Sequence, residues 1–161
     1  RLSNRKTKEM SEQIDHDENA VSIHVRRGDY LEPKYWKTTG CVCQLPYYLN
    51  AIAEMNKRIS QPSYYVFSDD IAWVKENLPL PKAFFIDWNK GTESWQDMML
   101  MSRCRHHIIC NSTFSWWGAW LNPRENKTVI MPERWFRHCE TPDICPDKWI
   151  KVPINQPDSI Q

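Results

Sequence analysis

The sequence predicts an α/β fold, a single parallel sheet with helices between its strands. Three observations carry this expectation. Short β-branched or aromatic runs recur at residues 21–25, 63–67, 83–86, 106–110 and 128–131. Between them stand segments with apolar residues at helical spacing, bounded by capping and stop residues. Strands that alternate with helices need right-handed crossovers, which leave neighbouring strands parallel.

Taken in order, residues 1–19 are charged and polar with no apolar period, and read as a linker or the remnant of a missing N-terminal domain. The first strand alternates Val21, Ile23 and Val25 with Ser22 and His24, then runs into Arg26-Arg27-Gly28-Asp29. Residues 31–44, rich in Lys, Thr, Pro and Gly, are expected as a long loop, and loops of that length are often functional. A helix over 46–59 follows, with Pro46 in its first turn and Tyr48, Ile52, Met55 and Ile59 on one face. The strand at 63–67 ends in Ser68-Asp69-Asp70, where Ser68 or Asp69 can cap a helix over 71–78 that Pro79 terminates. After the strand at 83–86 and a loop over 87–91, Thr92 or Ser94 caps a helix through Arg103 that carries Trp95, Met98, Met99 and Met101. The strand at 106–110 passes through Asn111-Ser112-Thr113 into an aromatic helix over 114–121, closed by Asn122-Pro123. Beyond the strand at 128–131 the chain is Pro-rich and reads as irregular. The domain is therefore expected at 20–150, with a tail at 151–161.

Composition narrows the possible roles. A chain of 161 residues with 21 basic and 20 acidic side chains can bury a sizeable core and carries no dedicated nucleic-acid surface. No apolar run reaches the roughly 18 residues of a membrane span. The cysteines Cys41, Cys43, Cys104, Cys110, Cys139 and Cys145 favour free thiols and a reducing compartment. Only Cys139 and Cys145 are placed to bridge, which keeps a cysteine-rich interaction module as an alternative.

A parallel sheet gathers its strand ends on one edge, where open α/β sheets hold ligands. The residues so gathered are Arg26-Arg27, Ser68-Asp69-Asp70, Asp87, Asn111-Ser112-Thr113 and Pro132-Glu133. Permanently charged, forked guanidiniums at that edge match phosphate oxygens, although paired arginines near a turn also fit a salt-bridged surface. Ser112 and Thr113 stand where helix N-terminal amides attract phosphate, or simply cap that helix. Asp97, in the first turn of its helix, fits a dipole-stabilising surface group or an acceptor for a guanine edge. His24, inside a strand, fits a hydrogen-bonded core histidine. No combination of His, Cys and carboxylate makes a convincing metal site; His106 and His107 alternate across a strand and point to opposite faces.

The motif His24-Val25-Arg26-Arg27-Gly28-Asp29-Tyr30 resembles the His-x-Arg-Arg-x-Asp-Tyr motif of the α-1,2-fucosyltransferases, glycosyltransferase family eleven. Phe67-Ser68-Asp69-Asp70 with Trp73-Val74 is similar to the family's second motif, and the run from Asp97 through Asn111-Ser112-Thr113-Phe114-Ser115-Trp116-Trp117-Gly118-Ala119-Trp120 to its third. The three occur in the family's order between Val21 and Trp135.

The resemblance implies a GT-B fold, with two Rossmann-like domains facing a cleft and this chain as the C-terminal, donor-binding half. It implies transfer of fucose from GDP-β-L-fucose to the 2-hydroxyl of a terminal galactose, with inversion and without a metal or other cofactor. Arg26 would meet the β-phosphate of departing GDP and Arg27 would support the pocket. His24 and Asp97 would contact guanine; Asn111, Ser112, Thr113 and Ser115 would serve the donor's phosphates. The general base stays open between Asp29, Glu32 and the missing domain. Asp15-His16-Asp17 has the Asp-x-Asp form of metal-dependent transferases, but so polar a setting reads as a solvated acidic patch. A non-catalytic nucleotide-sugar-binding fragment is the other outcome. The resemblance fits a bacterial-type enzyme at the cytoplasmic side of the inner membrane, or one in the Golgi lumen if a membrane anchor precedes it.

Overall fold

The computed structural model describes residues 4–155; the rest of the expected linker and tail lies outside the described residues. Six strands form one parallel sheet: β1 (Ala20–Val25), β2 (Ser63–Ser68), β3 (Ala83–Ile86), β4 (His106–Ile108), β5 (Val129–Pro132) and β6 (Ile150–Val152). Their order is β3-β2-β1-β4-β5-β6. The chain thus moves one way from β1 to β3 and the other way from β4 onward, so its direction reverses between β1 and β4. Rossmann-like folds open their ligand crevice at that reversal.

Right-handed crossovers then sort the helices by face. α1 (Arg5–Asp15) precedes the sheet, and the short α2 (Pro33–Tyr35) follows β1. α3 (Leu45–Arg58) and α4 (Ile71–Asn77) join β1 to β3 on one face, while α5 (Trp95–Arg103) and α6 (Thr113–Trp120) join β3 to β5 on the other. The period of β1 meets this division. Val21, Ile23 and Val25 are buried in the core shared with Tyr47, Tyr48, Ile52 and Met55 of α3 and Val74 of α4. Each is worth about 1.5–3 kcal/mol relative to exposure. Ala20 points the other way, into the core of Ile14, Tyr65, Phe67, Leu100 and Met101. A third cluster gathers Ala119, Trp135 and Trp149 with the partly buried Trp116.

Several expectations change. The segment expected as a linker is a capped helix: Asn4 Oδ1 accepts from the Thr7 amide at 2.8 Å, and Thr7, Ser11 and Ile14 are buried. Its inward stripe is real at i, i+4, i+7, but two of its three positions are small hydroxyl residues that an apolar count passes over. Asp15 pairs with Arg103 at 3.0 Å and Asp17 accepts from the Tyr65 hydroxyl at 2.8 Å, which ties the acidic patch into the fold. At the other end the expected irregular region holds β6, which crosses the 150/151 boundary. The loop at 31–44 is a series of tight turns, with 3₁₀ geometry at Asp29–Leu31 and π geometry at Trp36–Gly40. Gly40 is required there, because a Cβ would lie 1.8 Å from the Tyr30 carbonyl oxygen. All six cysteines are free thiols, so Cys139 and Cys145 do not bridge.

His107 shows how the sheet interior handles a titratable group. Asn122 Nδ2 donates to its Nε2 at 2.9 Å, so Nδ1 carries the proton and donates to Ser22 Oγ at 2.8 Å. Burial pushes its pKa down to about 3. It is a neutral, fully bonded core residue. No helix of the described residues is long and apolar enough to cross a membrane.

Candidate functional site

At the end of β1 the chain turns through Gly28, and the turn is gripped by the end of β2. Asp69 accepts from the amides of Arg27 at 2.9 Å and Gly28 at 2.8 Å, while the Ser68 hydroxyl donates to the Val25 carbonyl at 2.7 Å. A Cβ on Gly28 would stand 2.6 Å from Asp69 Oδ2, so only glycine lets the carboxylate seat. Asp70, rather than Ser68 or Asp69, caps α4 by accepting from the Trp73 amide at 3.1 Å. That division leaves Asp69 to fix the arginine turn.

Strand alternation separates the two arginines. Arg26 enters a cleft of about 790 Å³ on the α5/α6 face, lined also by His24, Asp69, Asp87, Lys90, Asp97, Ser112 and Phe114. Arg27 goes to the opposite face. Its guanidinium lies 4.1 Å over the Trp73 ring and 3.4 Å from Asp70, and it does not line the cleft.

Arg26 is held as a fork. Its Nε and Nη2 donate to Asp29 Oδ1 at 3.1 Å and Oδ2 at 2.7 Å, and its guanidinium lies 4.3 Å over the Tyr30 ring. Tyr30 in turn donates its hydroxyl to the Asn111 carbonyl at 2.9 Å. Asp29 uses Nε and one Nη2 proton, so Nη1 and the remaining Nη2 proton are left for a ligand. The hydrogen bond from Arg26 holds the Asp29 carboxyl below its ordinary pKa. A carboxylate so engaged orients an arginine better than it accepts a proton.

Three more of the expected residues line the same cleft. His24 Nδ1 lies 3.3 Å from Cys110 Sγ, and burial, with Arg26 nearby, pushes its pKa down to about 4. The imidazole is neutral at pH 7. Ser112 occupies the N-cap position of α6 but makes no side-chain capping bond. Its Oγ is buried and has no hydrogen-bond partner among the described residues. A plain cap would have satisfied that hydroxyl; an unpaired one facing a cleft awaits a ligand. Asp97 is only partly exposed, and burial pushes its pKa up to about 6, with Asp87 adding to the effect.

Other expected residues stand apart. Asn111 is buried behind the cleft, its Nδ2 donating to the Thr39 and Trp135 carbonyls at 2.9 and 3.0 Å. Ser115 is buried too, donating to the Ser112 carbonyl at 3.4 Å. Thr113 is exposed at the first position of α6. None of the three lines the cleft. The residue that sequence reasoning missed is Asn89. It is buried, and its Nδ2 donates to Asp97 Oδ1 at 2.9 Å. Its signal was its place in the loop after the third strand, at the ligand edge.

Among the described residues, no three His, Cys, Asp or Glu side chains are grouped to hold a metal ion. The arrangement is instead one fixed cation, one vacant hydroxyl at a helix N-terminus, a neutral imidazole and a half-buried carboxylate. It suits an anion at one end and a hydrogen-bonding ring at the other.

The family model for glycosyl transferase family 11 matches residues 3–152. The chain belongs to glycosyltransferase family 11. It is 38% identical over 138 residues to an alpha-1,2-colitosyltransferase of Escherichia coli, covering 83% of this chain and 48% of that protein. It is 37% identical over 135 residues to the O-antigen biosynthesis glycosyltransferase WbnK of the same organism, covering 83% and 45%. Against galactoside alpha-(1,2)-fucosyltransferase 1 of Saimiri boliviensis boliviensis it is 35% identical over 105 residues, covering 63% and 28%. The chain thus spans about half the length of the bacterial relatives it matches.

Proposed function

We propose that this chain is the donor-binding half of a GT-B glycosyltransferase that moves fucose from GDP-β-L-fucose to the 2-hydroxyl of a terminal galactose, with inversion and without a metal. The observation that carries the reading is the pairing of Arg26 with the unpartnered Ser112 hydroxyl in one cleft at the sheet's reversal point. A diphosphate seated there would take charge-assisted bonds from Arg26 and hydrogen bonds from Ser112 and the first amides of α6. Asp97, ionised above pH 6, would accept the ring and exocyclic N–H groups of guanine, with neutral His24 beside it.

In the transfer step the anomeric C–O bond breaks and its electron pair passes to the β-phosphate oxygen. The acceptor oxygen closes on the opposite face of the sugar and gives its proton to a base. Arg26 lowers the barrier by stabilising charge that grows on the leaving diphosphate, and Asp29 positions Arg26. A preorganised group of this kind is worth about 3 kcal/mol or more, on the order of a hundredfold in rate. The base falls to Glu32 or to the other half of the enzyme, because both Asp29 oxygens are taken by Arg26. The free thiols support a reducing compartment.

Titration calorimetry with GDP, GDP-fucose and UDP-galactose tests the donor. Binding of the two guanine compounds and not the third is expected. Binding by this chain alone, with transfer only when the other half is present, is the expected pair of results. Transfer of colitose instead of fucose is favoured by the 38% identity to the colitosyltransferase. Supplying both donors to the intact enzyme decides between the sugars, since the nucleotide end serves either.

A further inference from the structure

Behind the carboxylate that faces the cleft runs a chain of polar side chains from α1. Trp88 Nε1 lies 3.0 Å from Thr7 Oγ1, Thr7 Oγ1 lies 3.0 Å from Asn89 Oδ1, and Asn89 Nδ2 lies 2.9 Å from Asp97 Oδ1. The direction of every link is determined. An indole N–H can only donate, so the Thr7 hydroxyl accepts from Trp88 and turns its own proton to Asn89. Asn4 fixes the same polarity independently. Its Oδ1 must accept from the Thr7 amide, so its Nδ2 donates to Asn89 Oδ1 at 3.2 Å. With two donors on its oxygen, the Asn89 amide has only N–H to offer Asp97. Thr7 and Asn89 are both buried, where a reversed amide would leave polar groups unpaired.

We propose that Trp88, Thr7 and Asn89 form a one-way hydrogen-bond relay that holds Asp97 as an acceptor toward the nucleotide base, making Thr7 and Asn89 positioning residues for the donor site. The inference rests on the donor reading above and extends the site to α1, which lies outside all three motifs. Asn89 occupies one carboxylate oxygen and fixes the plane of the group. Oδ2 has no protein partner among the described residues and is left for the base. The relay also favours the ionised carboxylate, since the Asn89 hydrogen bond acts against the burial that raises the Asp97 pKa. The charged and titratable groups around the cleft are Asp87 and Lys90 after β3, Asp69 after β2, and His24 and Arg26 at the end of β1. Lys6 of α1 lies over Trp88. With its pKa near 4, His24 stays neutral across the range in which Asp97 titrates.

The test is calorimetry of GDP-fucose between pH 5 and 8 on the parent chain, Thr7→Val and Thr7→Ser, with thermal melts alongside. The doubly esterified diphosphate of this probe does not itself titrate in that range. For the parent chain, affinity should fall as pH drops through about 6, because protonated Asp97 loses an acceptor. Thr7→Val keeps the volume but breaks the relay. It should weaken binding about threefold to tenfold at pH 7 and move the acid limb to higher pH. Thr7→Ser keeps the hydroxyl and should restore both. As a second probe, Asn89→Asp replaces the donor to Asp97 with an acceptor and should move the limb further the same way. Parent binding with the same affinity and the same limb in Thr7→Val overturns the relay and leaves the donor reading intact. Absence of GDP-fucose binding by the parent chain overturns the donor reading, and the relay's role with it.

Discussion

On the α3/α4 face of the sheet, the arginine that ends β1 is a packing residue: Arg27 lies flat on Trp73, near Asp70, above a continuous apolar core. On the α5/α6 face the neighbouring arginine, Arg26, stands in an open cleft with Asp29 locking its fork and N–H groups to spare. The two side chains are chemically identical and adjacent in the chain. A strand sends successive residues to opposite faces, and the faces differ because one is closed over by α3 and α4 while the other opens between the strand ends and the N-terminal ends of α5 and α6. Residue type at a ligand edge therefore does not identify the ligand's partner; the face does.

The largest expected effect separates the two arginines by activity. Arg26→Ala in the intact enzyme should lower kcat by about a hundredfold or more. Arg26→Lys should recover little, because an ammonium cannot both hold Asp29 side-on and offer a fork. A comparable loss in Arg27→Ala would break the distinction between the faces.

Next in size is Gly28→Ala. The new Cβ would meet Asp69 Oδ2 at 2.6 Å and push the carboxylate off two amides, with an expected loss of about 1–3 kcal/mol in a urea titration. Arg27→Ala should cost about 1–2 kcal/mol of stability through the lost contact with Trp73 while GDP affinity changes little. The smallest effect sharpens the cleft side. Ser112→Ala should weaken GDP about threefold to tenfold in calorimetry with the melting temperature nearly unchanged, since its hydroxyl makes no capping bond. A clear drop in melting temperature would return Ser112 to the role of a helix cap.

Much of this was legible in the chain. Alternating β-branched runs placed five of the strands to within a residue or two, and helix punctuation placed α3 to α6. α1 was hidden because its buried stripe is built from Thr7, Ser11 and Ile14 rather than from large apolar residues. β6 was hidden by its brevity and by the prolines around it. For the site, the motif residues Arg26, His24, Ser112 and Asp97 came out on one cleft. Asn111 and Ser115 are polar residues of the same motifs, but they are consumed by packing behind it. Local sequence could not make that separation, because it depends on which carbonyls of distant loops, at Thr39 and Trp135, need a donor. Asn89 escaped for a related reason: its role comes from a helix that lies more than eighty residues earlier in the chain.

The most direct test of the account is a crystal structure of this chain with GDP. The account predicts the diphosphate against Arg26 and the Ser112 hydroxyl at the start of α6, with the guanine edge on Asp97. GDP bound on the Arg27 face, or in the cleft with its phosphates away from Arg26, would contradict it.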